Sequence, residues 1–235
     1  MLDANGFTFE VGGSMYLKVK RYIDFILALV GLIIFSPVFF ILILAIKLNS
    51  KGPILFQQKR LGIHKIHFNI LKFRTMRIDT PKDTPTHLLS NPEQYITKVG
   101  KFLRKTSLDE LPQIINILTG DMSIIGPRPA LWNQYDLIAE RDKYGANDVV
   151  PGLSGWAQIN GRDELSIEVK AKLDGEYVER ISFAFDCRCF FGTIVSVLKH
   201  DGVVEGRHGS MTEIGEVESG KRLAEAVTMK DELKA

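Results

Sequence analysis

Cysteine is almost missing from this chain: its 235 residues hold Cys187, Cys189 and no others. Two thiols this close together do not make the disulfide framework of a small secreted scaffold, so both are expected to be reduced and to face a cytoplasmic environment. They also lack partners at zinc spacing, the nearest histidine being His200. Net charge is nearly missing too. The 30 basic and 28 acidic residues leave +2, which gives no global field for nucleic acid, and none is expected as a partner. There are no internal repeats, and the length suits one sizeable core with an appended element rather than two large domains.

Charge is wholly absent from residues 25–46, FILALVGLIIFSPVFFILILAI, a run of 22 positions. That is long enough for a membrane helix and too long for a signal-peptide core, and no small-residue cleavage site follows it. The segment is therefore expected to stay in a bilayer. Ser36 and Pro37 lie at its centre, and an interior proline removes a backbone donor and crowds the preceding turn at about 3 kcal/mol, so a kink is expected there. Both flanks are basic, with Lys18, Lys20 and Arg21 before the run and Lys47, Lys51, Lys59 and Arg60 after it. The positive-inside rule then places both ends in the cytoplasm, which a re-entrant hairpin satisfies; an ordinary single span satisfies the length equally well. Asp24 fits a carboxylate near a helix N-terminal end.

The remainder reads as α/β, mainly helical. Residues 1–15 are weakly patterned. Residues 54–76 alternate apolar and polar positions around Leu61 and Gly62, which predicts a β-hairpin with His64 and His67 on opposite faces beside its turn. Residues 78–94, with three prolines, read as a surface loop. Apolar periodicity predicts short amphipathic helices over 108–118 and 131–143, suited to a membrane surface, and further helices over 166–180 and 187–198.

Four patches carry candidate chemistry. In SLDELPQ, Asp109 and Glu110 can divide labour, one attacking an electrophile while the other binds a divalent cation; Ser107 followed by two carboxylates is equally the first turn of a helix. In GPRP, residues 126–129, Pro127 and Pro129 stiffen the chain around Arg128, which suits a guanidinium that grips phosphate or an ordinary structural turn. KFRTM, residues 72–76, projects Lys72 and Arg74 from the same strand face, toward phosphate or solvent. GLSGWAQINGR, residues 152–162, is a glycine-punctuated loop with Trp156 and Arg162, where a core tryptophan between turns is the plainer reading.

KRYIDFILALVGLIIFSP, KFRTM, SLDELPQIINILTGDMSIIGPRP and GLSGWAQINGR, in this order, resemble the bacterial sugar transferases of the small monotopic phosphoglycosyl transferase family, over about residues 18–207. The resemblance implies a loose extension (1–17), a re-entrant membrane helix broken at Ser36 and Pro37 (18–50), a compact cytoplasmic catalytic domain with a small β-hairpin and amphipathic interface helices (51–207), and a C-terminal tail (208–235). It implies an enzyme at the cytoplasmic face of the bacterial inner membrane that uses a UDP-sugar and polyprenyl (undecaprenyl) phosphate as substrates, in the first membrane step of surface glycan assembly. Asp109 would attack the donor's β-phosphorus and carry the phosphosugar after UMP leaves. Glu110, with Asp109, would hold Mg²⁺. Lys72, Arg104, Arg128, with its flanking Pro127 and Pro129, and Arg162 would contact phosphate and nucleotide, and Asp174 and Asp186 match acidic positions near the active site. One departure is Val150, where many relatives have arginine.

Two other functions compete. A non-catalytic membrane anchor that recruits assembly partners would not depend on Asp109. A membrane-bound phosphatase or nucleotide hydrolase would use the same aspartate with water as acceptor and release free sugar phosphate.

Overall fold

The computed structural model of the protein describes residues 11–80, 92–161 and 165–199. In chain order they form α1 (Val11–Asn49), β1 (Leu55–Leu61), β2 (His67–Phe73), α2 (Lys98–Lys105), α3 (Gln113–Thr119), β3 (Ser123–Ile125), α4 (Tyr135–Asp142), β4 (Gly152–Ser154), α5 (Trp156–Ile159), α6 (Ile167–Glu179) and α7 (Phe183–Lys199). Mainly helical structure with little sheet is as expected. The α6 limits match closely: Ser166 caps it, its hydroxyl accepting from the Val169 amide at 3.4 Å.

α1 is a single helix of 39 residues, long and apolar enough to cross a membrane. It begins at Val11, so residues 11–17 are helical rather than part of a loose extension; Tyr16 is tied down by a hydrogen bond to Asp186 at 2.7 Å. The helix also passes through Pro37 without interruption. Proline lacks the amide that would reach the Ile33 carbonyl, and the Ser36 hydroxyl takes that carbonyl instead at 2.8 Å, so the expected break does not end the helix.

One stripe of α1 is covered toward both ends of the apolar run, while residues 33–37 between them are exposed all round. Lys20, Asp24, Ala28, Leu42 and Ile46 are buried, and Leu32 and Phe39 pack between them. Ala28 joins Ile70, Ile114, Ile117 and Met122 in one core cluster, while Leu42 and Ile46 join Phe73 and Leu103 in a second. Each such aliphatic side chain contributes about 1.5–3 kcal/mol by leaving water. The opposite face, with Ile26, Leu27, Ile33, Ile34, Phe40, Ile41 and Leu48, is exposed and apolar.

The hairpin pairs β1 with β2 antiparallel, from Leu55 opposite Phe73 to Leu61 opposite His67. Its turn holds His64 and Lys65 in the left-handed region, at φ 51° and 60°. Contacts from outside the hairpin keep them there: the His64 amide donates to the Asn147 carbonyl at 2.8 Å and its ring meets Asp148 at 3.1 Å. α3 is fixed on β2 by Asn116, whose amide accepts from the Leu71 amide and donates to the Asn69 carbonyl, both at 2.9 Å.

The remaining helix expectations shift for local reasons. Pro112 splits residues 108–118, so Leu108–Glu110 is a separate 3-10 turn and α3 starts after it. Leu131 pairs with Arg60 of the hairpin, which leaves α4 to begin at Tyr135. α7 begins at Phe183, four residues earlier than its apolar periodicity indicated. Cys187 and Cys189 are free thiols; Cys189 is fully buried, and burial together with neighbouring Asp186 pushes its thiol up to about 12. The parallel pair β3–β4 and the helix α2 were not anticipated from the sequence, although α2 carries its own cap, the Thr97 hydroxyl accepting from the Gly100 amide at 2.9 Å.

Candidate active site

Asp109 and Glu110 stand on the 3-10 turn Leu108–Glu110, entered through Ser107 in a left-handed conformation at φ 55°. Ser107 makes no capping bond, so this is not the ordinary start of a helix. A non-glycine residue held there costs about 1–3 kcal/mol and marks a turn whose side-chain directions are fixed by its surroundings.

Glu110 is the charge hub. Lys72, at the end of β2, donates to its Oε1 at 2.8 Å, and Arg128 grips both carboxylate oxygens with two guanidinium nitrogens. Burial alone would push the Glu110 carboxyl up; the Arg128 and Lys72 charges and hydrogen bonds outweigh it and hold the group well below the usual carboxylate range. Asp109, its neighbour, goes the other way. Burial raises its pKa and like-charged Glu110 adds to that, while Lys72, Arg104 and Arg128 offset only part. Two adjacent carboxyls with opposite shifts are the arrangement that separates a basic, nucleophilic carboxylate from a permanently ionised one.

Arg128 owes its place to three glycines. A Cβ on Gly152 would lie 2.1 Å from the Gly126 nitrogen, and one on Gly155 would lie 2.1 Å from the Gly126 oxygen, so these backbones meet only because side chains are absent. The Gly126 amide donates to the Ser154 carbonyl at 2.8 Å and the Gly152 amide to the Pro127 carbonyl at 2.9 Å. Pro129 presents its carbonyl to Arg60 at 3.0 Å, and Arg128 itself donates to the Leu153 carbonyl at 3.2 Å. Val150 supplies part of this wall through its carbonyl. Arg104 is oriented by Thr75, whose hydroxyl accepts from Nε at 3.0 Å. That role for Thr75 was not legible in the sequence.

The structure thus brings Lys72, Arg104, Asp109, Glu110 and Arg128 together, while Pro127 and Pro129 flank Arg128 with their carbonyls turned to Gly152 and Arg60. Other candidates are engaged differently. Arg74 lies beyond the end of β2 and does not share a face with Lys72 in the way expected: it donates to the Lys51 carbonyl at 2.9 Å and the Ser50 carbonyl at 2.7 Å, closing the C-terminal end of α1. Asp174 forms a buried pair with Arg141, and Asp186 accepts from Tyr16, Lys20 and Tyr177. Trp156 donates to Glu176 at 3.0 Å and lies 5.0 Å from the Phe185 ring. Arg162 lies outside the described residues.

Two adjacent carboxylates are oxygen donors of the kind Mg²⁺ takes, normally one or two from protein with the rest from water and substrate phosphates. Glu110 is kept ionised, but Arg128 and Lys72 already engage both its oxygens, so it fits that requirement only through the less crowded Oε2. Among the described residues no group of three or more His, Cys, Asp or Glu side chains is placed to hold a metal by itself, so an ion here would need the substrate's phosphate oxygens.

The family model for bacterial sugar transferases matches residues 15–200. The chain belongs to that family. This transferase is 38% identical over 190 residues to an uncharacterized sugar transferase, EpsL, of Bacillus subtilis, covering 81% of this chain and 92% of the relative. It is 42% identical over 184 residues to the UDP-glucose:undecaprenyl-phosphate glucose-1-phosphate transferase of Escherichia coli, covering 75% of this chain and 39% of that longer protein. It is 36% identical over 191 residues to an Aeromonas hydrophila UDP-N-acetylgalactosamine-undecaprenyl-phosphate N-acetylgalactosaminephosphotransferase, covering 78% and 44%.

The transferase's two carboxyls make its pH response specific. If Asp109 is the attacking carboxylate, the acid limb of the transfer rate should lie above the ordinary aspartate value of about 3.9, because its pKa is raised. Glu110 stays ionised throughout that limb. A pH profile of the transfer rate, compared between wild type and Glu110→Gln, checks this: the limb should persist in the variant, though at lower rate.

Proposed function

We propose that this enzyme transfers a sugar 1-phosphate from a UDP-sugar to polyprenyl phosphate in two displacements at one phosphorus. An Asp109 oxygen bonds to the β-phosphorus of the donor, the bond to the bridging oxygen breaks, and UMP leaves with that electron pair. A phosphate oxygen of polyprenyl phosphate then attacks the same phosphorus and expels the Asp109 carboxylate, giving polyprenyl diphosphate sugar. The observation that carries the reading is the raised Asp109 carboxyl beside an ionised Glu110, among Lys72, Arg104 and Arg128. The cations offset charge on the transferred group, and a basic carboxylate is a competent phosphoryl carrier. Asp109 and Glu110 would hold Mg²⁺, which supplies further charge neutralisation on the phosphates when bound.

The membrane arrangement we infer is re-entrant, at the cytoplasmic face of the inner membrane. Lys20 and Ile46 are about 39 Å apart along a straight helix at 1.5 Å per residue, more than the roughly 30 Å apolar thickness of a bilayer. Yet both pack on the same folded unit. A helix crossing once would carry its ends to opposite faces, so packing of both ends on one unit, with basic residues at each, supports ends that share the cytoplasmic face. Phe190, Phe191, Ile194 and Val195 on α7 are exposed and suit a helix lying at the same surface.

The test is detergent-solubilised protein with Mg²⁺, polyprenyl phosphate and a panel of UDP-sugars, assayed for UMP and lipid-linked product. One donor should yield both. Absence of UMP with every donor would favour the anchor reading, and free sugar phosphate without lipid product would favour the hydrolase. Arg128→Lys should lower donor kcat/KM about tenfold to a hundredfold, because a point charge cannot keep the two-pronged grip that orders this site; a full-rate lysine variant would remove Arg128 from the mechanism.

A further inference from the structure

Outside the reaction centre, the described residues hold a buried polar network that the mechanism above does not use. Its members are Lys20, Asp24, Tyr177 and Asp186, each no more than 8% exposed, together with Tyr16 and Ser123. Asp186 on α7 accepts from Lys20 at 2.5 Å and Tyr16 at 2.7 Å through one oxygen, and from the Tyr177 hydroxyl at 2.8 Å through the other. Both oxygens are therefore engaged. The Tyr177 hydroxyl, on α6, also lies 3.1 Å from the Ile125 carbonyl, so its one proton is shared between that carbonyl and Asp186. Asp24 of α1 accepts from the Ser123 hydroxyl at 2.6 Å and the Ile124 amide at 3.3 Å, and Lys20 stands 3.8 Å from it.

The consequence falls on β3. Each of its residues is held by this network: Ser123 through its side chain, Ile124 through its amide, Ile125 through its carbonyl. β3 runs directly into Gly126, Pro127 and Arg128, and Pro127 and the closely packed Gly126 leave little backbone slack between Ile125 and Arg128. A displacement of β3 would move Arg128 relative to Glu110.

We infer that Tyr177 and Asp186 are positioning residues, which set Arg128 by tying β3 to the membrane helix α1 and to α7. Neither touches the reacting atoms. The inference rests on the transferase reading for its kinetic test, and a second readout does not depend on that reading. Asp186 is thereby given a role different from substrate contact, and Tyr177 and Lys20 acquire one.

Tyr177→Phe in the full-length protein is the sharp variant, since it deletes one oxygen and keeps the ring beside Phe185. The donor KM should rise about five- to tenfold, the worth of one hydrogen bond, while the polyprenyl phosphate KM stays within about twofold. Tyr177→Phe in an Asp186→Asn background should add much less than it does alone, because both act along one path. Hydrogen–deuterium exchange should quicken at residues 123–128 in Tyr177→Phe and stay unchanged at 113–119. A lowered melting temperature with unchanged donor KM and unchanged exchange at 123–128 would make the network a brace only and overturn the inference. So would an Asp186→Asn variant that loses donor binding while Tyr177→Phe is silent, for Asp186 would then meet the substrate itself. Wild-type protein that releases no UMP would defeat the transferase reading, and the exchange data would still decide the coupling of Tyr177 to the Arg128 loop.

Discussion

Asp109→Asn is expected to abolish turnover, by roughly a thousandfold or more, while leaving the protein folded and its melting temperature unchanged or raised. The activity loss follows from chemistry: an amide nitrogen or oxygen cannot form and release the acyl phosphate that the double displacement requires. The stability sign follows from the environment. A carboxyl whose folded-state pKa lies above its unfolded value stabilises the fold fully only below the unfolded value, and that contribution is lost as pH rises through the raised one. Asp109 is such a group, so at neutral pH the ionised side chain is carried at a cost that asparagine removes. UMP release, thermal melting and intact-mass detection of a phosphosugar adduct on wild type alone would check all three parts. A variant that keeps even about a hundredth of the wild-type rate would argue for another nucleophile.

The second large effect concerns folding. Arg141 donates to one oxygen of Asp174 through two nitrogens, at 2.8 and 2.5 Å, with side-chain exposures of 5% and 1%. Burial pushes the Asp174 carboxyl up and Arg141 offsets part of that; among the described residues its second oxygen has no hydrogen-bond partner. Arg141→Met leaves a buried carboxylate without its counter-charge, and should cost about 3–5 kcal/mol. For a chain of this size that is a fall of about 6–20 °C in melting temperature. Arg141→Met combined with Asp174→Leu should recover most of the loss, since a well-packed apolar pair replaces an ion pair at little net cost. Donor KM of the folded fraction should stay unchanged in both. If melting is unaffected and donor KM rises, Asp174 is a substrate contact after all.

These two residues also show what could be read from the chain. Asp109 stood in a linked set of motifs, and the structure places Lys72 and Arg128 from two others on its neighbour Glu110. The hairpin and α6 were legible because each carries its own periodicity and, for α6, its own cap. β3 and β4 were not, being three residues each, far apart in sequence and paired only through tertiary contact. Arg74 was misread for a related reason. Its strand alternation pointed beside Lys72, but the carbonyls at the end of α1 need donors, and nothing local to KFRTM reveals that they lie within reach. Asp174 matched an acidic position of the family, and charge in sequence does not disclose its partner Arg141, 33 positions away.

The outward face of α1 bears on how such an enzyme must be assayed and how it works in a cell. Since Ile33, Ile34, Phe40 and Ile41 keep the protein in lipid, its long-chain acceptor reaches it by lateral diffusion in two dimensions. The quantity that sets the rate of the second step is then the mole fraction of polyprenyl phosphate in the surrounding lipid. Adding inert lipid or detergent at fixed total acceptor should slow product formation by surface dilution, whereas the water-soluble donor would continue to obey its bulk concentration.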